Sequence, residues 1–125
     1  MKPIIPDSLY NDRADTLEGM SIDALWGVSC PDEYIWNDAF PFEEKKEYFF
    51  AFLQRLLEDG KIKLASRGKF LEGSIAEQIA LFREKFPKNQ EEMDADAFDG
   101  FWFLTEESPG GIVWIYESGY EDWTL

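Results

Sequence analysis

Apolar side chains recur along this chain in two rhythms, and the longer one is the clearer. Between Pro41 and Asp59, Tyr48, Phe49, Phe52, Leu53, Leu56 and Leu57 fall on one wide stripe at helical spacing, while Glu43, Glu44, Lys45, Lys46 and Glu47 crowd the first turns. That pattern predicts a helix, closed by Gly60 as its C-terminal cap. A second helix opens at Ser74, where Glu77 sits three residues on as a capping box requires; Ile75, Ile79, Phe82 and Phe86 share one side until Pro87 stops it. Two weaker helices precede these. One starts near Pro6 or Asp7 and ends by Gly19, with Leu9, Tyr10, Ala14 and Leu17 inward; the other is capped by Ser21 and runs through Trp26.

The short rhythm marks strands. Lys61 to Ala65 alternates at period two, with lysines on the wet face, and Gly68 and Gly73 bracket a turn or short segment after it. Phe101 to Thr105 and Ile112 to Tyr116 are dense β-type runs joined across Pro109-Gly110-Gly111, which predicts a hairpin. Such continuous apolar runs imply cover on both faces, by helices on one side and a loop or partner on the other. Cys30 to Phe42, punctuated by two prolines, reads as an ordered aromatic loop, and Lys88 to Asp96 as a polar surface loop. The expected fold is therefore α+β: about four helices packed on a small, mainly antiparallel sheet of about three strands, with a C-terminal hairpin. With 125 residues and neither linker nor repeat, residues 1–125 form one domain.

Charge narrows the partners. The formal net charge is -14, and it is uneven: residues 1–40 hold two basic and eight acidic side chains, residues 41–86 nine and eight, residues 87–125 one and ten. Both ends are acidic and the middle is balanced. A field this negative disfavours nucleic acid and anionic lipid, whose binding rests on Lys and Arg, and favours a basic protein. A 45% hydrophobic and 17% aromatic content supplies enough apolar area for the chain to fold in spite of that charge. No apolar run approaches the roughly 20 residues of a membrane helix, and no basic-then-apolar leader opens the chain, so the expectation is a cytoplasmic protein with no membrane partner. A lone Cys30 agrees with a reducing compartment.

Little in the chain suits turnover. With no His, the usual general base, the Ser-His and Cys-His pairs and the commonest zinc ligand are all missing. Cys30 has no basic sequence neighbour to activate it. Carboxylate pairs are a guaranteed accident among 26 acids, so none stands out as a glycosidase-like dyad. Asp94, Asp96, Asp99 and Gly100 resemble the start of a calcium loop, but glycine comes one position late and Thr105 stands where the closing Glu belongs. No glycine loop cradles phosphate. The expectation is no enzyme, no cofactor and no metal.

What remains is acid interleaved with large aromatics towards the carboxyl end. Asp94, Asp96, Asp99, Trp102, Glu117, Tyr120, Glu121, Asp122 and Trp123 are the candidate partner-binding residues: rings give buried area at low entropic cost, and carboxylates speed encounter with a basic partner. Phe101, Phe103, Trp114 and Tyr116 are better read as core.

The run Phe49 to Leu64, the upstream Asp23-Ala24-Leu25-Trp26-Gly27 and the downstream Asp99-Gly100-Phe101-Trp102-Phe103 resemble a family of small acidic bacterial proteins grouped as a domain of unknown function. In size and charge the chain is also similar to the immunity proteins of contact-dependent inhibition and related polymorphic toxin systems. That resemblance implies a protein that binds and neutralises a cognate toxin, such as a basic nuclease; the chain itself is expected to be a monomer or weak homodimer. A general acidic adaptor or nucleic-acid mimic, a housekeeping structural protein and a carboxylate-based enzyme are the competing readings.

Overall fold

The computed structural model describes residues 3–35, 37 and 39–124. Five α-helices and four strands follow one another: α1 (Asp7–Leu17), α2 (Ile22–Gly27), α3 (Phe42–Glu58), β1 (Ile62–Ser66), β2 (Lys69–Phe70), α4 (Ile75–Lys85), α5 (Gln90–Asp94), β3 (Gly111–Ile115) and β4 (Glu121–Trp123). Two 3-10 turns, Asp32–Tyr34 and Phe101–Leu104, interrupt the loops. The strands pair in the order β2-β1-β3-β4, every neighbour antiparallel. The architecture is α+β.

The strongest sequence signals became the firmest elements. In α3 the stripe buries Phe49, Phe50, Phe52, Leu53, Leu56 and Leu57. Gly60 then turns the chain at φ 71°, a left-handed backbone open to glycine. The α4 capping box forms as the spacing demands: the Ser74 hydroxyl accepts from the Glu77 N–H at 3.1 Å and the Glu77 carboxylate accepts from the Ser74 N–H at 3.0 Å. Ser21 occupies the position before α2 but does not cap it, because its hydroxyl donates to the Asp23 carboxylate instead.

Three sequence readings are corrected. Phe101 to Thr105 is not a strand. Gly100, at φ 93°, starts a 3-10 turn that puts Trp102 and Phe103 into the core together, where a strand would have sent them to opposite faces. Pro109-Gly110-Gly111 is accordingly not a hairpin turn; it leads into β3, which pairs with β1 and β4. The C-terminal hairpin exists one strand later, where β3 turns into β4 through a reversal closed by Tyr116 N–H on the Tyr120 carbonyl at 3.0 Å. Lys88 to Asp96 is not all loop: the Asn89 side chain caps α5 by accepting from the Glu92 N–H, and Met93 is drawn fully inside. Tyr34 and Phe40 of the Cys30 to Phe42 loop pack together, and Phe40 meets Tyr48 of α3 edge-on. Trp36 and Asp38 of that loop lie outside the described residues.

The core sits between the helices and one sheet face. Ile62, Leu64, Ile112 and Trp114 point into it. At its centre Trp26 is fully buried against Phe42, Phe49, Phe86 and Phe103. Burial of each such ring stabilises by roughly 1.5–3 kcal/mol. Basic stems close the margins: Lys45 lies over Trp26, Arg83 over Phe50 and Arg55 over Tyr10. The opposite sheet face is roofed by the edge strands themselves. Phe70 and Trp123, register partners of Ala65 and Val113, stack at 5.0 Å, with Lys63 over Phe70.

Close approach at the end of the β1–β3 ladder depends on Gly110. A Cβ there would lie 2.5 Å from the Ala65 carbonyl oxygen, a backbone atom with nowhere to go. Gly110→Ala is expected to lower stability by about 1–3 kcal/mol in urea titrations; an unchanged midpoint would show that β1 and β3 tolerate separation.

Candidate functional site: an acidic cleft where the chain ends meet

The acid-rich ends, far apart in sequence, are joined by the sheet. Because β3 pairs with β1 rather than with the segment before it, the chain after Ile115 is delivered beside α1. The Trp114 indole N–H donates to the Met20 carbonyl at 2.8 Å and fixes that neighbourhood. A cleft of 520 Å³ results, walled by Asp15 and Glu18 from α1, Asp59 and Lys61 from the turn after α3, and Tyr116 and Glu117 at the end of β3. Lys61 is the single cation among the described residues that line it.

Tyrosines order this face. The Tyr10 hydroxyl donates to Asp59 at 2.7 Å; burial first, and then that hydrogen bond, push its pKa well above the ordinary phenol value. It remains a donor. Tyr116 is also pushed up, by partial desolvation and then by the charges of Asp122 and Glu18. The Asp122 carboxylate closes on Gly19 from the other side, reaching 3.4 Å from where a Cβ would stand. Tyr120 packs on Tyr116 with ring centres 5.8 Å apart and leaves most of its own surface in water. Carboxylates thus surround phenols that hold on to their protons. A cationic side chain is the natural complement.

The nine residues singled out in the sequence do not form one patch. Glu117, Tyr120, Glu121, Asp122 and Trp123 lie together on the hairpin from β3 to β4. Trp123 turns to the outer sheet face, where its indole N–H donates to Glu121 at 3.2 Å. Trp102 is 4% exposed, packed on Phe86 and Phe103, and has no surface to offer a partner; this corrects the sequence reading, for the 3-10 turn rolls it inward. Asp94 and Asp99 line a different cleft, of 510 Å³, with Cys30, Tyr34 and Lys45. Asp96 is exposed in a left-handed turn after α5.

Asp99 has structural work. It accepts from the Trp26 indole at 2.8 Å, from Gln90 at 2.6 Å and from Lys45 at 3.3 Å, which ties α2, α3 and α5 together. Burial alone would raise its pKa, but those donors outweigh it and hold the carboxyl below the usual range. Cys30 is buried, and burial pushes its thiol up, away from a reactive thiolate. Among the described residues no three acids or thiols converge as a metal site would need.

Sequence reasoning missed Asp15, Glu18 and Asp59. The acidic amino end was visible as composition, yet nothing in its spacing said that it would face the carboxyl end.

The fold and cleft define a small α+β protein with an acidic, aromatic-edged surface. The chain belongs to the family described as a protein of unknown function, DUF596, whose model matches residues 57–124. A solved structure, an uncharacterised protein conserved in bacteria from Neisseria meningitidis, is similar over 93% of this chain and 90% of that one, at 28% identity and a TM-score of 0.69. A search of curated proteins finds no match. No helix among the described residues is long and apolar enough to cross a membrane.

Asp99 and Glu47, the latter lowered by its paired hydrogen bonds from Arg83, are both depressed carboxyls. Their stabilisation is complete above the unfolded value of about 4 and is lost as pH falls through the lower folded value. Urea midpoints are expected to drop between about pH 5 and pH 2, and Asp99→Asn to shrink that drop while lowering the pH 7 midpoint; an identical pH slope in the variant would remove Asp99 as a contributor.

Proposed function

We propose that this protein is a non-catalytic binding domain whose acidic cleft receives a basic protein, and that the partner is a toxin of the same bacterium, which it neutralises by occupying a cationic surface. The observation that carries this reading is the convergence of Asp15, Glu18, Asp59, Glu117 and Asp122 on one face, edged by Tyr116 and Tyr120. Attraction between such a face and a cationic partner speeds encounter toward the roughly 10⁸–10⁹ M⁻¹s⁻¹ reached at low salt. Exposed Tyr120 supplies the ring that a charge-steered interface uses to hold what it has caught. The same field repels nucleic acid, so blocking a basic nuclease and shielding its substrate path are one electrostatic act.

Affinity capture from cells of the source organism tests this. The intact chain should retain a basic protein that is toxic when expressed alone and harmless when co-expressed with it. Combined reversal of Asp15, Glu18 and Glu117 to lysine should slow association at least about tenfold at low salt and flatten its salt dependence. Capture that survives the reversal with unchanged kinetics would reject the cleft as the interface, and a captured protein with no toxicity would reject neutralisation.

A further inference from the structure

A third cleft, of 740 Å³, opens between the start of α2, the end of α4 and the stretch leading from the Phe101–Leu104 turn into β3. Its volume is that of a small-ligand pocket, roughly 300–1,000 Å³. Two cations reach it from separate elements, Arg67 from the turn between β1 and β2 and Lys85 from the end of α4. The five ion pairs among the described residues use other cations. Three carboxylates, Asp23, Glu106 and Glu107, line it as well, and Leu104 and Pro109 add apolar wall.

Arg67 holds an unusual backbone. With φ 53°, and Gly68 at φ 80°, it occupies the first central position of a two-residue hairpin turn that glycine, asparagine or aspartate adopts with less strain. Arg67 is nevertheless the residue with which this turn lines the cleft, and strained backbone of this kind recurs at ligand clamps.

A simple anion in this cleft would meet three carboxylates, and a simple cation would meet Arg67 and Lys85. A molecule carrying both charges meets neither penalty. We propose that the cleft binds a small zwitterion with an apolar side group, the chemistry of a free amino acid or a short peptide. Its carboxylate lies against Arg67 and Lys85, its ammonium against Asp23, Glu106 and Glu107, and its side group against Leu104 and Pro109. Arginine suits the first role, since its planar fork takes a carboxylate through two parallel hydrogen bonds.

Amide NMR titrations of the intact chain with leucine, with leucyl-leucine and with doubly blocked N-acetyl-leucine amide test the assignment. Saturable shifts at Ser66, Gly110 and Thr124 are expected with a free-ended probe, and binding at least about tenfold weaker with the blocked one. Leucine binding as well as the dipeptide identifies an amino-acid site, and response to the dipeptide alone identifies a peptide site. Arg67→Gly relieves the turn, so its Tm should equal or exceed the parent's while affinity falls about tenfold. Should glycine loosen the hairpin, Arg67→Asn keeps the left-handed backbone and gives the same reading. Absence of saturable shifts at millimolar probe, equal binding of the blocked probe, or undiminished binding by the folded Arg67 variants would overturn the proposal.

Discussion

Trp114 stands where the two acidic ends of the chain meet. Its ring is buried in β3, and its indole N–H reaches the Met20 carbonyl just beyond α1. That placement is possible because β3 lies between β1 and β4, so the last stretch of chain crosses the sheet centre before emerging beside the first helix. Opposite charge would be the easier neighbour there. The fold instead gathers like charge, and like charge held together costs stability unless something else offsets it.

The offset comes from an aromatic core large enough to hold the frame rigid. Trp26, sealed by four rings and anchored by Asp99, locks α2, α3, α5 and the Phe101–Leu104 turn into one cluster. Other cations lie away from the acidic face: Lys45 and Arg83 lie on rings at the core margin, and Arg13 is buried with its guanidinium on the Val28 and Cys30 carbonyls. The balanced middle of the sequence thus supplies most of the scaffold, with Asp59 and Lys61 as its share of the cleft, and the uncompensated ends supply the other acids there.

Much of this was legible in the sequence where one local rule decided the outcome. The α3 stripe and the Ser74–Glu77 box each carry their own geometry, and the structure reproduces both. Phe101 to Leu104 was not legible, because three consecutive aromatics satisfy a strand pattern as well as a turn; the core space beside Phe86 decided it. Met93 gave one apolar signal in a polar stretch, too little to reveal α5. For the site, composition found the carboxyl-terminal acids and rings but misplaced Trp102, and it could not see that Asp15, Glu18 and Asp59 would join them. That knowledge lives in the strand order, which is long-range and leaves no trace in spacing.

Carbodiimide cross-linking of the protein with its captured partner, followed by mapping of the joined residues, addresses the central claim most directly. The account predicts bonds from Asp15, Glu18 and Glu117 to lysines of a basic protein. Links confined to Asp94, Asp96 or the acids between the Phe101–Leu104 turn and β3, with none at the cleft where the chain ends meet, would contradict it.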